Sequence, residues 1–265
     1  QNTHRIAVGE PLGQFYGYIT EGLYQVDDFN YDASTQTYTL KDGVSYHGDK
    51  GQIRPGMWKF KNLTGDDNVI DENDKTVIGN AQPKFYGGLN NSFTYKGFDL
   101  SIFLTFSYGN EVLNATKLVT SKVGSLNYNA LDVMNSSNRW MTINSDGQKV
   151  TDPGELAALN AGKTVAAYHD AQQGDNYIHS WAVEDASYLK LSNVTLGYTF
   201  PKNLIARVGL KNLRLYATGN NLLTWTKYSG FDPEVSTMKS GLTPGVDFGA
   251  YPLSRSFIFG LNVAF

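Results

Sequence analysis

The sequence predicts an all-β protein, an antiparallel transmembrane β-barrel segment of about six strands with long extracellular loops. Three observations predict it. Apolar and polar residues alternate with period two over stretches of up to eleven residues, the pattern of strands with one apolar face. Those stretches are about twice as long as an ordinary soluble strand. At about 3.3 Å per residue and a tilt of about 40° they project to roughly 25 Å, the height of a lipid-facing band. The connections between them are long and short by turns. Composition agrees, since 27 Gly, 17 Tyr and 14 Phe in 265 residues, with only 18% charged, favour strands and turns over helices.

The first candidate strand covers residues 13–19, where Gly13, Phe15, Gly17 and Ile19 share a face and Tyr16 and Tyr18 blur the contrast. In residues 85–96, Phe85, Gly87, Leu89, Asn91, Phe93 and Tyr95 oppose Gly88, Asn90, Ser92, Thr94 and Lys96. The clearest pattern is 98–108, with Phe98, Leu100, Ile102, Leu104, Phe106 and Tyr108 against Asp99, Ser101, Thr105 and Ser107. Residues 187–200 change parity midway, because Leu189 and Leu191 are odd whereas Val194, Leu196, Tyr198 and Phe200 are even. A β-bulge near Ser192 and Asn193 reconciles the two halves. Leu213, Leu215, Ala217, Gly219, Leu223 and Trp225 make the fifth face, with Asn221 the exception. Residues 253–265 end the chain with Phe257, Phe259, Leu261, Val263 and Phe265 on one side and Ser254, Ser256, Gly260 and Asn262 on the other.

Residues 25–83, 112–186 and 226–252 are long connections, whereas Lys96-Gly97 and 201–212 are short. Long on one side and short on the other is the arrangement of outer-membrane barrels, the short side being periplasmic. A sheet in lipid must also close, because each unpaired backbone group in hydrocarbon costs several kcal/mol. Six strands are too few, since the smallest such barrels have about eight. Residues 1–265 are therefore expected to be the C-terminal part of a larger barrel and not an autonomous domain.

Other classes are excluded by composition. Twenty-two Lys+Arg against 25 Asp+Glu give a net charge of −3, which provides no basic field for nucleic acid. Without cysteine there is no disulfide framework and no thiolate metal site. No stretch approaches 18 consecutive apolar residues, and the first twenty lack the charged and apolar regions of a signal peptide.

Several motifs carry a family resemblance. They are Pro83-Lys84-Phe85 followed by Gly88-Leu89-Asn90-Asn91; Tyr95-Lys96-Gly97-Phe98-Asp99-Leu100-Ser101; and the preceding run from Val69 to Asn80. Glu184-Asp185-Ala186-Ser187-Tyr188-Leu189-Lys190-Leu191 leads into Val194-Thr195-Leu196-Gly197-Tyr198, followed by Asn220-Asn221-Leu222, Asp232-Pro233-Glu234 and Tyr251-Pro252. From about Gly9 onward the chain resembles the SusC/RagA family of TonB-dependent outer-membrane transporters of Bacteroidetes. The resemblance implies a segment of a plugged barrel of roughly 22 strands, the plug and N-terminal strands lying outside residues 1–265. It implies a place in the outer membrane in contact with lipid, and import of oligosaccharides or peptides with energy relayed by the TonB complex. A SusD-like surface lipoprotein would be the partner. Terminal Phe265 resembles the C-terminal aromatic residue of outer-membrane proteins and would be read by the barrel-insertion machinery.

Three site candidates stand out. Residues 62–74 look like an EF-hand-type calcium loop, in which Asp66, Asp71 and Asp74 would hold Ca²⁺. The fit is imperfect, with one residue too many and Asp67 or Asn68 where a glycine belongs; the competing reading is a solvated acidic turn. Trp140, Tyr177, Trp181, Trp225 and Tyr228 on the long side could stack on sugar rings, or serve loop packing and the membrane interface. Glu184-Asp185 and Asp232-Pro233-Glu234 offer adjacent carboxylates, but neighbours on a strand point to opposite faces. His4, His47, His169 and His179 fall in no metal-ligand spacing, and no nucleophile or phosphate motif occurs, so no catalytic residue is expected. The alternative from another class is a soluble secreted β-sandwich that binds or cleaves carbohydrate, whose apolar faces would meet a second sheet.

Overall fold

A computed structural model describes residues 3–65, 67–121, 129–167, 177–238 and 240–265. In chain order the strands are β1 (Gln14–Gly17), β2 (Thr20–Leu23), β3 (Phe29–Asp32), β4 (Thr37–Leu40), β5 (Tyr46–His47), β6 (Trp58–Phe60), β7 (Val69–Ile70) and β8 (Thr76–Asn80). The later ones are β9 (Phe85–Tyr95), β10 (Phe98–Tyr108), β11 (Glu111–Asn114), β12 (Val183–Asp185), β13 (Tyr188–Thr199), β14 (Asn212–Thr226), β15 (Val246–Asp247) and β16 (Ser256–Ala264). The α-helices, α1 (Ala115–Thr120), α2 (Pro153–Leu159) and α3 (Lys202–Ile205), are short.

The five long strands form one antiparallel sheet in the order β16-β14-β13-β10-β9. Lys96 and Gly97, at φ 45° and 90°, close the β9–β10 hairpin, as a two-residue turn requires of both its residues. The expected bulge is present. Leu104 pairs with Leu191 and Phe103 with Asn193, so Ser192 is the extra residue, and its hydroxyl meets that of Thr105 at 2.7 Å. Across β14 the same irregularity takes up Asn221, at φ 52°, which is why Asn221 breaks the alternation there.

One face of this sheet is apolar from edge to edge. Phe93, Leu100, Leu196, Ala217 and Phe259 form one row across all five strands, and Leu89, Leu104, Leu191 and Leu223 another. Among the described residues no second sheet covers it. Leu100, Ile102, Leu104 and Phe106 stay partly exposed, and Phe259 is 81% exposed on the edge strand β16. That removes the β-sandwich alternative, whose inner faces would be buried.

The buried hydrophobic core lies instead in the long connections. All three fold together with the segment before residue 25 beyond the Tyr108, Tyr188 and Thr226 ends of the sheet, where β11 pairs with β12 and β15. Tyr18, Leu23, Trp58, Phe60, Trp140, Val150 and Leu156 form the largest cluster of this cap. Gly56 is required beside it, because its φ is +88° and a Cβ there would lie 2.3 Å from the Trp140 ring. The structure corrects one sequence expectation here. Residues 13–19 do not extend the sheet, since β1 pairs with β8 inside the cap, where Phe15 and Tyr18 are both buried. With aromatic side chains on both sides, this segment satisfies burial from two directions, which a lipid-facing strand does not.

Candidate functional site

The opposite face of the sheet is a mostly polar wall, interrupted by Phe103, Tyr216 and Ile258. Ser101 Oγ donates to Asn90 Oδ1 at 3.2 Å, Asn193 Nδ2 to Asn220 Oδ1 at 2.7 Å, and Asn220 Nδ2 to Ser256 Oγ at 3.1 Å. The Thr195 and Thr218 hydroxyls meet at 2.9 Å. These amides and hydroxyls cross from β9 to β16, because strands in register place like side chains side by side. Aromatic rings fill the gaps above glycines: Tyr216 covers Gly260 and Phe103 lies against Gly88.

Charge is confined to the two ends of the wall, and there it is neutralised. The five long strands carry three charged side chains, Asp99, Lys190 and Arg214. At the short-turn end Arg214 grips Asp99 with two nitrogens, reaching across β13. Gly197 makes this possible, since a Cβ there would lie 2.5 Å from both partners. At the cap end Lys190, only 5% exposed, donates to Glu234, and the Tyr188 hydroxyl donates to the other oxygen of the same carboxylate at 2.6 Å. The 226–252 connection is thereby strapped onto the wall. Burial pushes the Glu234 pKa up, but the bonds from Lys190 and Tyr188 outweigh it, so the carboxyl sits below its ordinary value.

A second anchor joins the connections to each other. Glu184 Oε1 accepts from Lys117 Nζ at 3.0 Å and from Ser229 Oγ at 2.9 Å, while Oε2 accepts from Ser229 N at 2.9 Å. Lys117 Nζ also lies 4.1 Å from the Trp181 ring centre. Burial acts to raise the Glu184 pKa, and the Ser229 and Lys117 bonds pull it below normal. Tyr228 donates to Asp247 Oδ2 at 2.6 Å, which pins the last connection near β15.

The residues singled out in the sequence fall into two groups. Trp140 is 1% exposed and Tyr228 buried, and Tyr177 packs on Tyr18, His47 and Phe60, so these three are packing residues. Trp225 is half exposed at the end of the apolar face, in the place of an interfacial anchor. Glu184 and Glu234 are spent on the anchors just described; Asp185 and Asp232 accept from the backbone of their own turns, at Ser187 and Glu234. His169 lies outside the described residues, His4 bonds Pro244 O through Nε2 at 2.9 Å, and His179 Nδ1 meets the Thr20 hydroxyl at 2.8 Å.

Of the calcium candidates, Asp66 lies outside the described residues. Asp74 is fully buried; Oδ1 accepts from the Leu63 and Thr64 amides at 2.7 and 2.9 Å, and Oδ2 from the Asp71 amide at 2.8 Å. Asp71 accepts from the Asn73 amide at 2.7 Å. Both carboxylates therefore brace the loop from within. Among the described residues no group of three or more His, Asp or Glu side chains could hold a metal ion.

Sequence reasoning missed the Lys190–Glu234 and Lys117–Glu184 anchors. For Lys190 a signal existed, a lone cation on the polar face of an otherwise uncharged strand. For Lys117 none did, because its partner is 67 residues away.

No family model matches the chain. It is 33% identical over 270 residues to TonB-dependent receptor P3 of Formosa agariphila, a match that covers 100% of this chain and 23% of that protein. TonB-dependent receptor P39 of the same organism is 31% identical over 98% of the chain, and TonB-dependent receptor SusC of Bacteroides thetaiotaomicron 29% identical over 83%. The RagAB peptide transporter structure superposes over the whole chain with a TM-score of 0.63 at 23% identity, and 24% of that chain is covered. The chain thus spans about a fifth to a quarter of the length of these proteins. By sequence along its whole length, and by the barrel fold of its sheet, it is related to the TonB-dependent receptors of the SusC and RagA kind.

Proposed function

We propose that residues 1–265 form part of the wall and external loops of an outer-membrane active transporter of the Bacteroidetes type. On this reading they are the C-terminal portion of a barrel whose other strands and plug complete the pore, TonB supplies the energy, and a SusD-like lipoprotein meets the cap. One observation carries the proposal: the same sheet has one face that is apolar apart from Asn91 and, on the other, an amide–hydroxyl ladder, as a wall between lipid and water must. Both edges of the sheet, β9 and β16, are unpaired among the described residues, which fits a piece of a larger closed barrel. An uncharged ladder of Asn, Ser and Thr favours hydroxylated cargo, hence oligosaccharide; peptide is the second reading, the cargo named for the RagAB neighbour.

The test is uptake by the complete receptor in cells. Asn193→Leu with Asn220→Leu removes the centre of the ladder without altering charge. Oligosaccharide uptake is expected to fall several-fold at an unchanged level of receptor in the outer membrane. Loss of peptide uptake alone would reverse the choice of cargo, and unchanged uptake of both would remove the ladder from the transport path.

A further inference from the structure

A pocket of about 460 Å³ opens between two of the long connections, formed by residues 36–57 and 142–167. That volume lies in the roughly 300–1,000 Å³ range of small-molecule sites. Its floor is apolar. Met57, Val150 and Leu156 are buried, and the Tyr38 ring is fixed by a hydrogen bond from its hydroxyl to the Thr151 carbonyl at 2.7 Å. Its rim is cationic: Arg54 and Lys149 line it, and no aspartate or glutamate does among the described residues.

Neither cation is neutralised, a state they share with Lys41, Lys61 and Lys163 among the described residues. Lys50, Lys59, Lys117 and Lys190 each pair with a carboxylate, whereas Arg54 and Lys149 have no ion-pair partner among the described residues. Arg54 is nonetheless held in place. Its Nη1 donates to the Gly51 and Ile53 carbonyls, both at 2.7 Å, leaving Nε and Nη2 without a protein partner among the described residues. A fixed guanidinium with a free edge suits a planar carboxylate, and the Lys149 ammonium on the same lining adds a second positive charge.

We infer that this pocket is a binding site for a small amphiphilic carboxylate, with its apolar body on Tyr38, Met57, Val150 and Leu156 and its charge between Arg54 and Lys149. The pocket shares no lining residue with the polar wall, so the inference holds whichever cargo passes along the sheet.

Calorimetric titration of the complete receptor in detergent tests it, with N-acetyl-L-phenylalanine as the probe and its C-terminal amide as the uncharged control. The carboxylate is expected to bind saturably, and the amide about tenfold or more weakly. Arg54→Gln and, separately, Lys149→Gln should each weaken the carboxylate by roughly three- to tenfold, and Thr142→Trp, which fills the cavity, should abolish binding. The melting temperature of each variant without probe checks its folding. Failure of the carboxylate to bind saturably, equal binding of the two probes, or unchanged binding in both charge variants would overturn the assignment.

Discussion

At the scale of single residues, buried charge decides which side chains matter. Lys190 is buried and depends on Glu234, whose own side chain is partly in solvent. Glu234→Gln leaves the ammonium without a countercharge and should cost roughly 1–3 kcal/mol, less than the 3–5 of a fully buried pair. The expected readout is faster hydrogen exchange and proteolysis around residues 232–236 in the complete receptor; unchanged protection would show that the strap is held elsewhere. Asp74 gives a pH signature. Burial works to raise its pKa, and the backbone N–H groups of Asp71, Leu63 and Thr64 outweigh this, so the folded value lies below the ordinary one. Its contribution is therefore present above the unfolded carboxyl pKa of about 3.9 and fades as pH falls through the lower folded value. Amide exchange at Leu63 and Thr64 should accelerate only in that acid range, and in Asp74→Asn it should be fast already at neutral pH.

At the scale of elements, the two faces of each long strand have opposite tolerances. Leu104 stands in the middle of the apolar face, in a row with Leu89, Leu191 and Leu223. A lysine there should cost roughly 2–4 kcal/mol if lipid covers it, and much less if water does. Leu104→Lys is accordingly expected to lower the amount of heat-modifiable, folded receptor in the outer membrane, while Ser101→Lys on the polar face leaves it near normal. Equal levels for both variants would contradict lipid contact. The elements also show what period-two reading captures. All five strands of the sheet and the bulge at Ser192 follow from alternation, which depends on neighbours in the chain alone. Residues 13–19 were misread because their Tyr16 and Tyr18 made both faces apolar, a pattern equally suited to burial within the cap.

At the scale of the whole molecule, the distribution of apolar surface is inverted. The long strands leave Phe85, Leu89, Phe93, Phe257, Phe259 and Leu261 exposed, while the cap buries Phe15, Tyr24, Phe60, Leu113 and Trp140. Expressed alone in water, the 265-residue chain should aggregate through the open apolar face and the edges of β9 and β16. Detergent should restore a dispersed state that retains the β-sheet signal in circular dichroism. A soluble monomer that melts cooperatively without detergent would overturn the barrel reading.

The order of residues alone is enough to say which of them form the sheet, which face is apolar, where the turns are tight and where the chain makes long excursions. Each of these is written in spacing along the chain, because a strand sends successive side chains to opposite sides. What the excursions do emerges from the folded chain: Trp140 and Tyr228 are packed inside, Glu184 and Glu234 tie distant loops together, and Arg54 and Lys149 share one pocket. Those outcomes depend on contacts between residues tens of positions apart, and no local period records which distant side chain will supply the partner for a buried charge.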